Sequence, residues 1–231
     1  MSSQEKDSLM EVIRRIAMVV GHELRNPLAV INNSAYFLKR KLGSEGRLDP
    51  KVEKHLGIVT EEIARVDRMI TDILSTSRPI AVKPEPYALN DFVKEALKAW
   101  PPPKGVALAR KLCRENPQVA LDPHVLEAAL VRILDNAGEA AAGAGTVTVE
   151  TAVDGGKTWL EVRDTGPGIK PEALPFVFQP FFTTKPRGLG LGLSLARKSV
   201  EAMGAKIEAK NPSGGGAAVR IFWKKGGPGP S

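Results

Sequence analysis

The sequence predicts an α+β protein in which an N-terminal helical hairpin forms a dimeric four-helix bundle and a C-terminal α/β sandwich follows. Residues 1–78 have apolar side chains at sustained helical spacing, and Pro27 and Pro50 are their only prolines. The rest of the chain is rich in Gly, Pro and short strand-like runs. We therefore expect domains at 1–78 and 79–225, with a disordered Gly/Pro-rich tail at 226–231.

The composition is typical of an intracellular globular protein. Hydrophobic residues make up 42% of the 231 positions, which is enough for an ordinary core. The net charge is +7, but basic residues form neither long runs nor a stripe interleaved with aromatics, so nucleic-acid binding is not expected. Cys113 is the single cysteine and cannot form an internal disulfide, and no apolar run approaches the ~20 residues of a membrane span. We expect a cytoplasmic location, for either a soluble protein or the cytoplasmic portion of a larger one.

A heptad seam predicts the first helix, over about residues 7–42. Its apolar residues step alternately by four and three positions from Leu24 to Leu42. Pro27 lies within this helix and is expected to kink its axis, because proline removes one hydrogen bond of the helix.

A second heptad seam predicts the partner helix. Asp49 and Pro50 suit its cap and first turn, and its apolar residues run from Val52 to Ile73 at the same spacing. Two helices with one such face each leave apolar surface exposed after pairing. We therefore predict a homodimer, in which a second copy completes a four-helix bundle.

The first helix also contains a segment suited to nucleophilic chemistry, the heptapeptide from His22 to Leu28. A neutral imidazole nitrogen is a good nucleophile near neutral pH, and an adjacent carboxylate such as Glu23 can hold the other ring N–H. His22 lies about 200° around the helix from Leu24, on a polar flank, so a buried core histidine is disfavoured. From this segment alone, a solvated pair of side chains without a function is the alternative.

The C-terminal half alternates short strands with helices. Helices are expected over about 91–100, 123–142 and 191–203, and strands over about 106–112, 119–121, 147–153, 159–164, 207–210 and 218–223. This pattern predicts helices packed over one face of a mixed or antiparallel sheet.

Three clusters in this half have polar groups suited to a nucleotide. Asp164 ends a strand and precedes glycines that would let a flat ring approach the backbone, although many ordinary turns have the same pattern. The glycine-rich run 188–193 leads into a helix whose free N–H groups favour phosphate, but it is neither a Walker A loop nor a good Rossmann fingerprint. Asn136 lies within an otherwise apolar helix, as a Mg²⁺ ligand or as a hydrogen-bonded core residue.

In chain order, the segments HELRNPL, LDNAGEAA, DTGPGI, FVFQPFFTTK and GLGLGL resemble the H, N, G1, F and G2 boxes of bacterial two-component sensor histidine kinases. The resemblance extends over about residues 7–225, and the short stretch 184–188 is similar to the abbreviated ATP lid of the nitrogen-regulation type. It implies a catalytic domain of the Bergerat, or GHKL, type that binds ATP and Mg²⁺. It also implies a homodimer that works with the receiver domain of a response regulator.

The resemblance assigns roles to individual residues. His22 would accept the γ-phosphoryl group of ATP on Nε2, Glu23 would polarise the imidazole, and the group would then pass to an aspartate of the regulator. Asn26, in the family's E-x-x-N pattern, would orient the water that dephosphorylates the regulator. In the ATP site, Asn136 would bind Mg²⁺, Asp164 the adenine amino group, Gly166 and Gly168 would shape the adenine pocket, and Thr184, Lys185, Gly190, Leu191 and Gly192 would form the lid and phosphate cradle.

Arg132 departs from the family pattern, which usually has a second Asn four residues before the Mg²⁺ ligand. One turn before Asn136, the guanidinium could bind phosphate directly or weaken Mg²⁺ binding by charge repulsion. Two other functions stay open. One is an ATPase of the gyrase, Hsp90 or mismatch-repair type, which usually has a Glu base at this position, and the other is a dimeric scaffold that binds nucleotide without transferring phosphate. Whether each protomer phosphorylates itself or its partner depends on the handedness of the turn between Leu42 and Pro50.

Overall fold

The computed structural model describes residues 3–46, 48–185 and 188–224, with residues 3–23 and 224 described by their backbone. The chain divides into two compact units, Met1–Pro79 and Ile80–Ser231. The tail that we expected to be disordered, 226–231, lies outside the described residues. Within the described ranges, no helix has both the length and the apolar character that crossing a membrane requires.

The first unit consists of helices α1 (Ser3–Ser44) and α2 (Pro50–Ser77). α1 continues as a helix through Pro27. The side chain of Asp49 caps the amino end of α2, and Pro50 lies in its first turn, as the sequence predicted. The predicted helical hairpin is therefore confirmed.

Three side-chain contacts show the relative direction of the two helices in the hairpin. Arg25 Nε donates a hydrogen bond of 2.9 Å to Asp67 Oδ1, and Arg25 Nη2 donates one of 2.8 Å to Thr71 Oγ1. Farther along α1, Lys39 Nζ lies 3.3 Å from Glu53 Oε1, near the start of α2. Because early residues of α1 meet late residues of α2, the two helices are antiparallel.

Packing of α1 on α2 buries only part of the two predicted seams. Ala35 and Ile70 are buried, whereas Ile31 and Leu38 are each 48% exposed and Val59 is 40% exposed. The hairpin thus has surplus apolar surface, which the heptad pattern predicted.

The second unit contains a five-stranded mixed sheet. In chain order, the strands and α-helices of this unit are β1 (Glu85–Ala88), α3 (Leu89–Ala99), β2 (Ala107–Lys111), β3 (Gln118–Leu121), α4 (Pro123–Ala140), β4 (Thr146–Asp154), β5 (Lys157–Asp164), α5 (Gly192–Ala202), β6 (Lys206–Lys210) and β7 (Ala218–Lys224). The strand order in the sheet is β2-β4-β5-β7-β6. β2 and β4 are parallel, and the other neighbours are antiparallel.

Three elements differ from the prediction. β3 does not join the main sheet but pairs with β1, a strand that we did not predict, in a separate two-stranded sheet. α3 begins at Leu89 rather than at Asp91. The reason is tertiary, since Leu89 N donates to the carbonyl oxygen of Pro117 and Asn90 N donates to Asn116 Oδ1. These two acceptors take the place of a local side-chain cap.

α4 is the central helix of the core of this unit. Its residues Leu126, Leu130, Ile133 and Leu134 are at most 2% exposed, and the helix packs against β4 and β5. α3 and α5 each pack against α4 as well. The position of α4 is thus fixed from several sides, which makes it a rigid support for polar groups on its remaining face.

Candidate functional site

Hydrogen bonds at Asp122 anchor the amino end of α4. Its Oδ1 accepts the backbone N–H groups of His124 and Val125, and its Oδ2 accepts that of Lys83 at 2.9 Å. Hydrogen bonding to the charged form, with the Lys83 N–H as the largest cause, lowers the pKa of the Asp122 carboxyl from its usual value. One carboxylate therefore joins the first residues of this unit to its central helix.

One face of α4 presents the polar residues of the candidate site. Arg132, Asn136 and Glu139 follow one another at spacings of four and three, which align them along one side of a helix. Their neighbours Ile133 and Ala137 are buried in the core. The helix thus has an apolar side that is fixed by packing and a polar side that a ligand can reach.

Lys185, from the predicted lid, contacts this polar face. Its Nζ donates a hydrogen bond of 2.8 Å to Asn136 Oδ1. The same ammonium donates to Oε2 of Glu139, with which it forms an ion pair. Thr184, the preceding lid residue, is exposed, and positions 186 and 187 of the lid lie outside the described residues. The structure therefore brings the predicted lid lysine to the predicted Mg²⁺ ligand.

Glycines fix the segment between the lid and α5. Gly190 has φ +68°, and a Cβ atom there would lie 2.4 Å from the carbonyl oxygen of Phe182. Leu191 is buried, and a Cβ atom on Gly192 would lie 3.4 Å from Nδ2 of Asn136. No side-chain cap bonds to the amino end of α5 in the described structure. Its first N–H groups thus lie beside Asn136 and suit a phosphate group.

Asp164 ends β5 as a buried carboxylate, 5% exposed. Its Oδ1 accepts the backbone N–H groups of Gly166 at 2.8 Å and Ala217 at 3.2 Å. Because both N–H groups reach Oδ1, the second oxygen, Oδ2, is the one left for a further donor. An exocyclic amino group, such as that of adenine, is a donor of this kind.

The loop after Asp164 lies against α4. A Cβ atom on Gly166 would lie 2.5 Å from the carbonyl oxygen of Ala140, one helical turn beyond Asn136. No other residue type fits here without movement of the backbone. α4 therefore contacts both the glycine loop, at Ala140, and the lid, at Asn136.

The turn between β6 and β7 holds the same loop from its other side. Gly168 has φ +77°, and a Cβ atom there would lie 3.1 Å from the carbonyl oxygen of Gly216. The Asn211 side chain accepts the backbone N–H of Ile169 at 2.9 Å and donates to the Ile169 carbonyl oxygen. These contacts fix the glycine loop as a wall of the site.

Three of these contributors, Glu139, Asn211 and Ala217, were not predicted. Glu139 had a usable signal, because it lies three residues after Asn136 on a predicted helix and within the segment LDNAGEAA. Asn211 and Ala217 had none, since they reach Asp164 and its loop only through the pairing of β6 with β7.

The candidate phosphoacceptor lies in the first unit. His22 and Glu23 belong to the helical backbone of α1, and their side chains lie outside the described residues. Asn26, one turn later, is exposed. Arg25 joins this part of α1 to α2 through the hydrogen bonds to Asp67 and Thr71.

The residues on the polar face of α4 suit a divalent cation that arrives with a nucleotide. Amide and carboxylate oxygens, such as those of Asn136 and Glu139, are ligands that Mg²⁺ prefers. Among the described residues, no three or more His, Cys, Asp or Glu side chains gather as a metal site. A cation here would therefore need phosphate oxygens or water to complete its coordination.

Two family models match the chain in succession. Residues 13–81 match the His Kinase A (phospho-acceptor) domain, and residues 121–227 match the Histidine kinase-, DNA gyrase B-, and HSP90-like ATPase family. The first match contains His22 and the hairpin, and the second contains Asn136, Asp164 and Lys185. The first match distinguishes this chain from ATPases that share only the nucleotide-binding fold.

Individual proteins agree with this assignment. The sensor protein kinase PilS of Pseudomonas aeruginosa is 30% identical over 227 residues, which are 95% of this chain and 42% of PilS. The chain thus spans less than half the length of this relative.

Two solved structures show the same fold at 24% identity. Full-length ShkA in complex with AMPPNP matches with a TM-score of 0.73 over 90% of this chain and 45% of that chain. ThkA in complex with the response regulator protein TrrA matches with a TM-score of 0.66 over 96% of this chain and 64% of that chain. With the phosphoacceptor and ATPase-type domains in sequence, the chain belongs to the bacterial two-component sensor histidine kinases.

Proposed function

We propose that this chain is the core of a sensor kinase that transfers the γ-phosphoryl group of ATP to His22 and then to an aspartate of a response regulator. Residues 1–78 would dimerise and accept the phosphoryl group, and residues 79–225 would bind ATP. The proposal rests chiefly on one observation, the contact of the Lys185 ammonium with Asn136 Oδ1 at 2.8 Å. This contact brings together, on the polar face of α4, two motifs that are distant in sequence.

Two other contacts of α4 support a nucleotide site that extends from Asp164 to the amino end of α5. Gly192, at the uncapped amino end of α5, lies beside Asn136, and Gly166, two residues after Asp164, lies against Ala140. Asp164 Oδ2 would accept the adenine amino group, and Gly166 and Gly168 would border the ring. The N–H groups at the start of α5, together with Lys185, would bind the phosphates. Gly190 and Leu191 would support this cradle through their close packing, and exposed Thr184 would close over it.

Phosphoryl transfer asks a protein mainly to position the reactants and to neutralise charge. Asn136 would hold Mg²⁺, which when bound neutralises charge on the phosphate oxygens. Lys185 would direct its ammonium to the same oxygens. Glu23 would accept the N–H of the His22 ring, so that Nε2 is unprotonated and nucleophilic.

The exposed apolar surface of the hairpin supports a homodimer. Ile31, Leu38 and Val59 are seam residues that α1 and α2 leave 40–48% exposed. A second hairpin would cover them in a four-helix bundle. The structure of ThkA with the response regulator TrrA motivates the proposal that a receiver domain docks on this bundle.

The part of α1 around His22 is also proposed to remove the phosphoryl group from the phosphorylated regulator. Asn26 is exposed one turn after His22 on α1, where its amide could orient water toward a phosphorylated aspartate. The core would then also be a phosphatase of its regulator.

Incubation with γ-labelled ATP and Mg²⁺ tests the kinase function. The chain has three histidines, and two of them, His22 and His55, lie in the hairpin. We expect acid-labile, base-stable label that is lost in His22→Ala and retained in the matched control His55→Ala. Transfer of this label to a panel of receiver domains then identifies the regulator.

The alternative functions give other results in the same assay. Release of phosphate without protein-bound label would indicate an ATPase, and nucleotide binding with neither product would indicate a scaffold. Mixed dimers of His22→Ala with Asp164→Asn show whether each protomer phosphorylates itself or its partner. Label appears in these dimers only if one protomer phosphorylates its partner.

A further inference from the structure

In the second unit, a side-chain cation lies where two oxygen ligands converge. The Lys185 ammonium donates to Asn136 Oδ1 at 2.8 Å and also to Glu139 Oε2. The two acceptors come from adjacent turns of α4, so the rigid central helix sets their spacing. An amide oxygen and a carboxylate oxygen that share one cation are a donor set that suits Mg²⁺ as well as an ammonium.

We propose that Glu139 is a second protein ligand of the divalent cation that Asn136 binds, and that the Lys185 ammonium takes this cation's position in the nucleotide-free chain. The inference rests on the proposed function for the presence of a metal-nucleotide complex. It adds a metal ligand, Glu139, and an exchange of one cation for another. Lys185, once displaced from the two oxygens, is free to turn to the phosphates.

The charges along α4 favour this role. Arg132 lies one turn before Asn136, where its guanidinium adds positive charge to a cation site. Glu139 lies almost one turn after Asn136 on the same face and adds negative charge. Asp135, the residue before Asn136, accepts a hydrogen bond of 2.9 Å from Trp100 Nε1 and so faces another side of the helix. Glu139 is therefore the carboxylate of α4 that shares the face of Arg132 and Asn136.

A surface ion pair without a function is the simpler interpretation of the contact between Lys185 and Glu139. Their side chains are 41% and 63% exposed, and exposed pairs contribute little to stability. That interpretation accounts for the carboxylate but not for Asn136, whose neutral Oδ1 accepts from the same ammonium. Convergence on the proposed metal ligand is what distinguishes a cation site from an ordinary surface pair.

Binding of Mn²⁺, measured by electron paramagnetic resonance in the presence of AMPPNP, tests Glu139 without any turnover. In Glu139→Gln we expect the Mn²⁺ dissociation constant to rise by about tenfold or more, because a charged ligand is lost. Glu139→Asp keeps the charge and is expected to retain part of the affinity. The matched control Glu127→Gln removes a carboxylate from the same helix, roughly 18 Å away along its axis, and should bind Mn²⁺ as the wild type does. Unchanged Mn²⁺ affinity in Glu139→Gln would overturn the proposal.

The exchange is tested with Mn²⁺ alone. Lys185→Met removes the competing ammonium but keeps a long side chain, so we expect Mn²⁺ affinity without nucleotide to increase by about fivefold. An unchanged or weaker affinity would overturn the exchange.

These outcomes separate the inference from the proposed function. If the wild type binds Mn²⁺ with AMPPNP but His22 receives no label, the kinase function fails and the metal assignment stands. If His22 is labelled normally and Glu139→Gln retains its Mn²⁺ affinity, only the metal assignment fails.

Discussion

Gly216 lies so close to Asp164 that a Cβ atom on Gly216 would be 1.9 Å from the Asp164 carbonyl oxygen. Gly216 also has φ +75°, which L-residues rarely adopt. In Gly216→Ala the backbone around Asp164 must shift. The Asp164 carboxylate, which is proposed to accept the adenine amino group, shifts with it. Strain of about 1–3 kcal/mol predicts an AMPPNP affinity that is about 5-fold to 150-fold lower in isothermal titration calorimetry.

Gly156→Ala is the matched control for this prediction. Gly156 also has φ +75°, in the turn between β4 and β5, but no other described residue has an atom within 4 Å of a Cβ atom built there. The control should lose some stability and keep its nucleotide affinity. Equal affinity losses in the two variants would mean that backbone strain in general, and not the contact with Asp164, weakens binding.

Arg132→Asn is predicted to increase the autophosphorylation rate at limiting Mg²⁺. The substitution removes a positive charge one turn from Asn136 and restores the amide that the family usually has there. The rate of labelling at several Mg²⁺ concentrations is the measurement. An unchanged or lower rate, at saturating Mg²⁺ as well, would contradict the idea that Arg132 hinders the reaction.

Local signals were sufficient to predict most of the fold. The heptad steps predicted both helices of the hairpin, and the strands expected over about 147–153 and 159–164 match β4 and β5, whose connecting turn contains Gly155 and Gly156, both with positive φ. β1 was missed because it is a four-residue strand that contains Pro86, and the strand with which it pairs, β3, is distant in sequence. Pairing between distant short strands leaves no periodic pattern to detect.

The order of the five motifs along the chain was a better predictor of the candidate site than the side-chain type at any single position. Asp164, Asn136 and Lys185 could each be named from their motifs, but the contact of Lys185 with Asn136 spans 49 residues of sequence. Likewise, the support of Asp164 by Ala217 depends on where β7 joins the sheet. Such contacts are set by tertiary packing, so a single sequence contains no local trace of them.

Asp122→Asn is predicted to lower stability by about 1 kcal/mol at neutral pH, because an amide cannot accept all three N–H groups that the carboxylate accepts. The folded pKa of Asp122 is lowered, so its contribution is complete above the unfolded pKa of about 3.9 and is lost as pH falls through the folded value. The stability difference from wild type should therefore shrink below about pH 4.

Urea denaturation followed by tryptophan fluorescence reports the unfolding of the second unit, which contains Asp122. All three tryptophans, Trp100, Trp159 and Trp223, lie within Ile80–Ser231. A difference between Asp122→Asn and wild type that stays constant down to pH 2 would contradict the role assigned to the charge.

Asn26→Ala is predicted to reduce phosphatase activity toward the phosphorylated regulator by on the order of 100-fold, the effect of removing one well-placed polar group from a reaction site. Autophosphorylation should persist, because Asn26 has no proposed part in binding ATP. Asn33→Ala, an exposed asparagine two turns farther along α1, is the matched control. Parallel loss of both activities in Asn26→Ala would point to a damaged helix instead.

Glu161 provides the clearest stability prediction, because it is a buried carboxylate on the face of the sheet opposite to the helices. It is 6% exposed, accepts from Arg220 at 2.6 Å and lies 3.1 Å from Lys210 Nζ, while the Arg220 guanidinium stacks 3.9 Å above the Trp159 ring. Glu161→Ala leaves the two cations without their shared partner and should cost about 2–3 kcal/mol of unfolding free energy.

The exposed ion pair between Arg197 and Glu201 is the control for burial. Both side chains are 50% exposed, so Glu201→Ala should change stability by less than about 0.5 kcal/mol. Trp159 adjoins the Glu161 cluster through Arg220, so its fluorescence should also change in folded Glu161→Ala. If the two variants lose the same stability, the ion pairs of Glu161 behave as a solvated surface network.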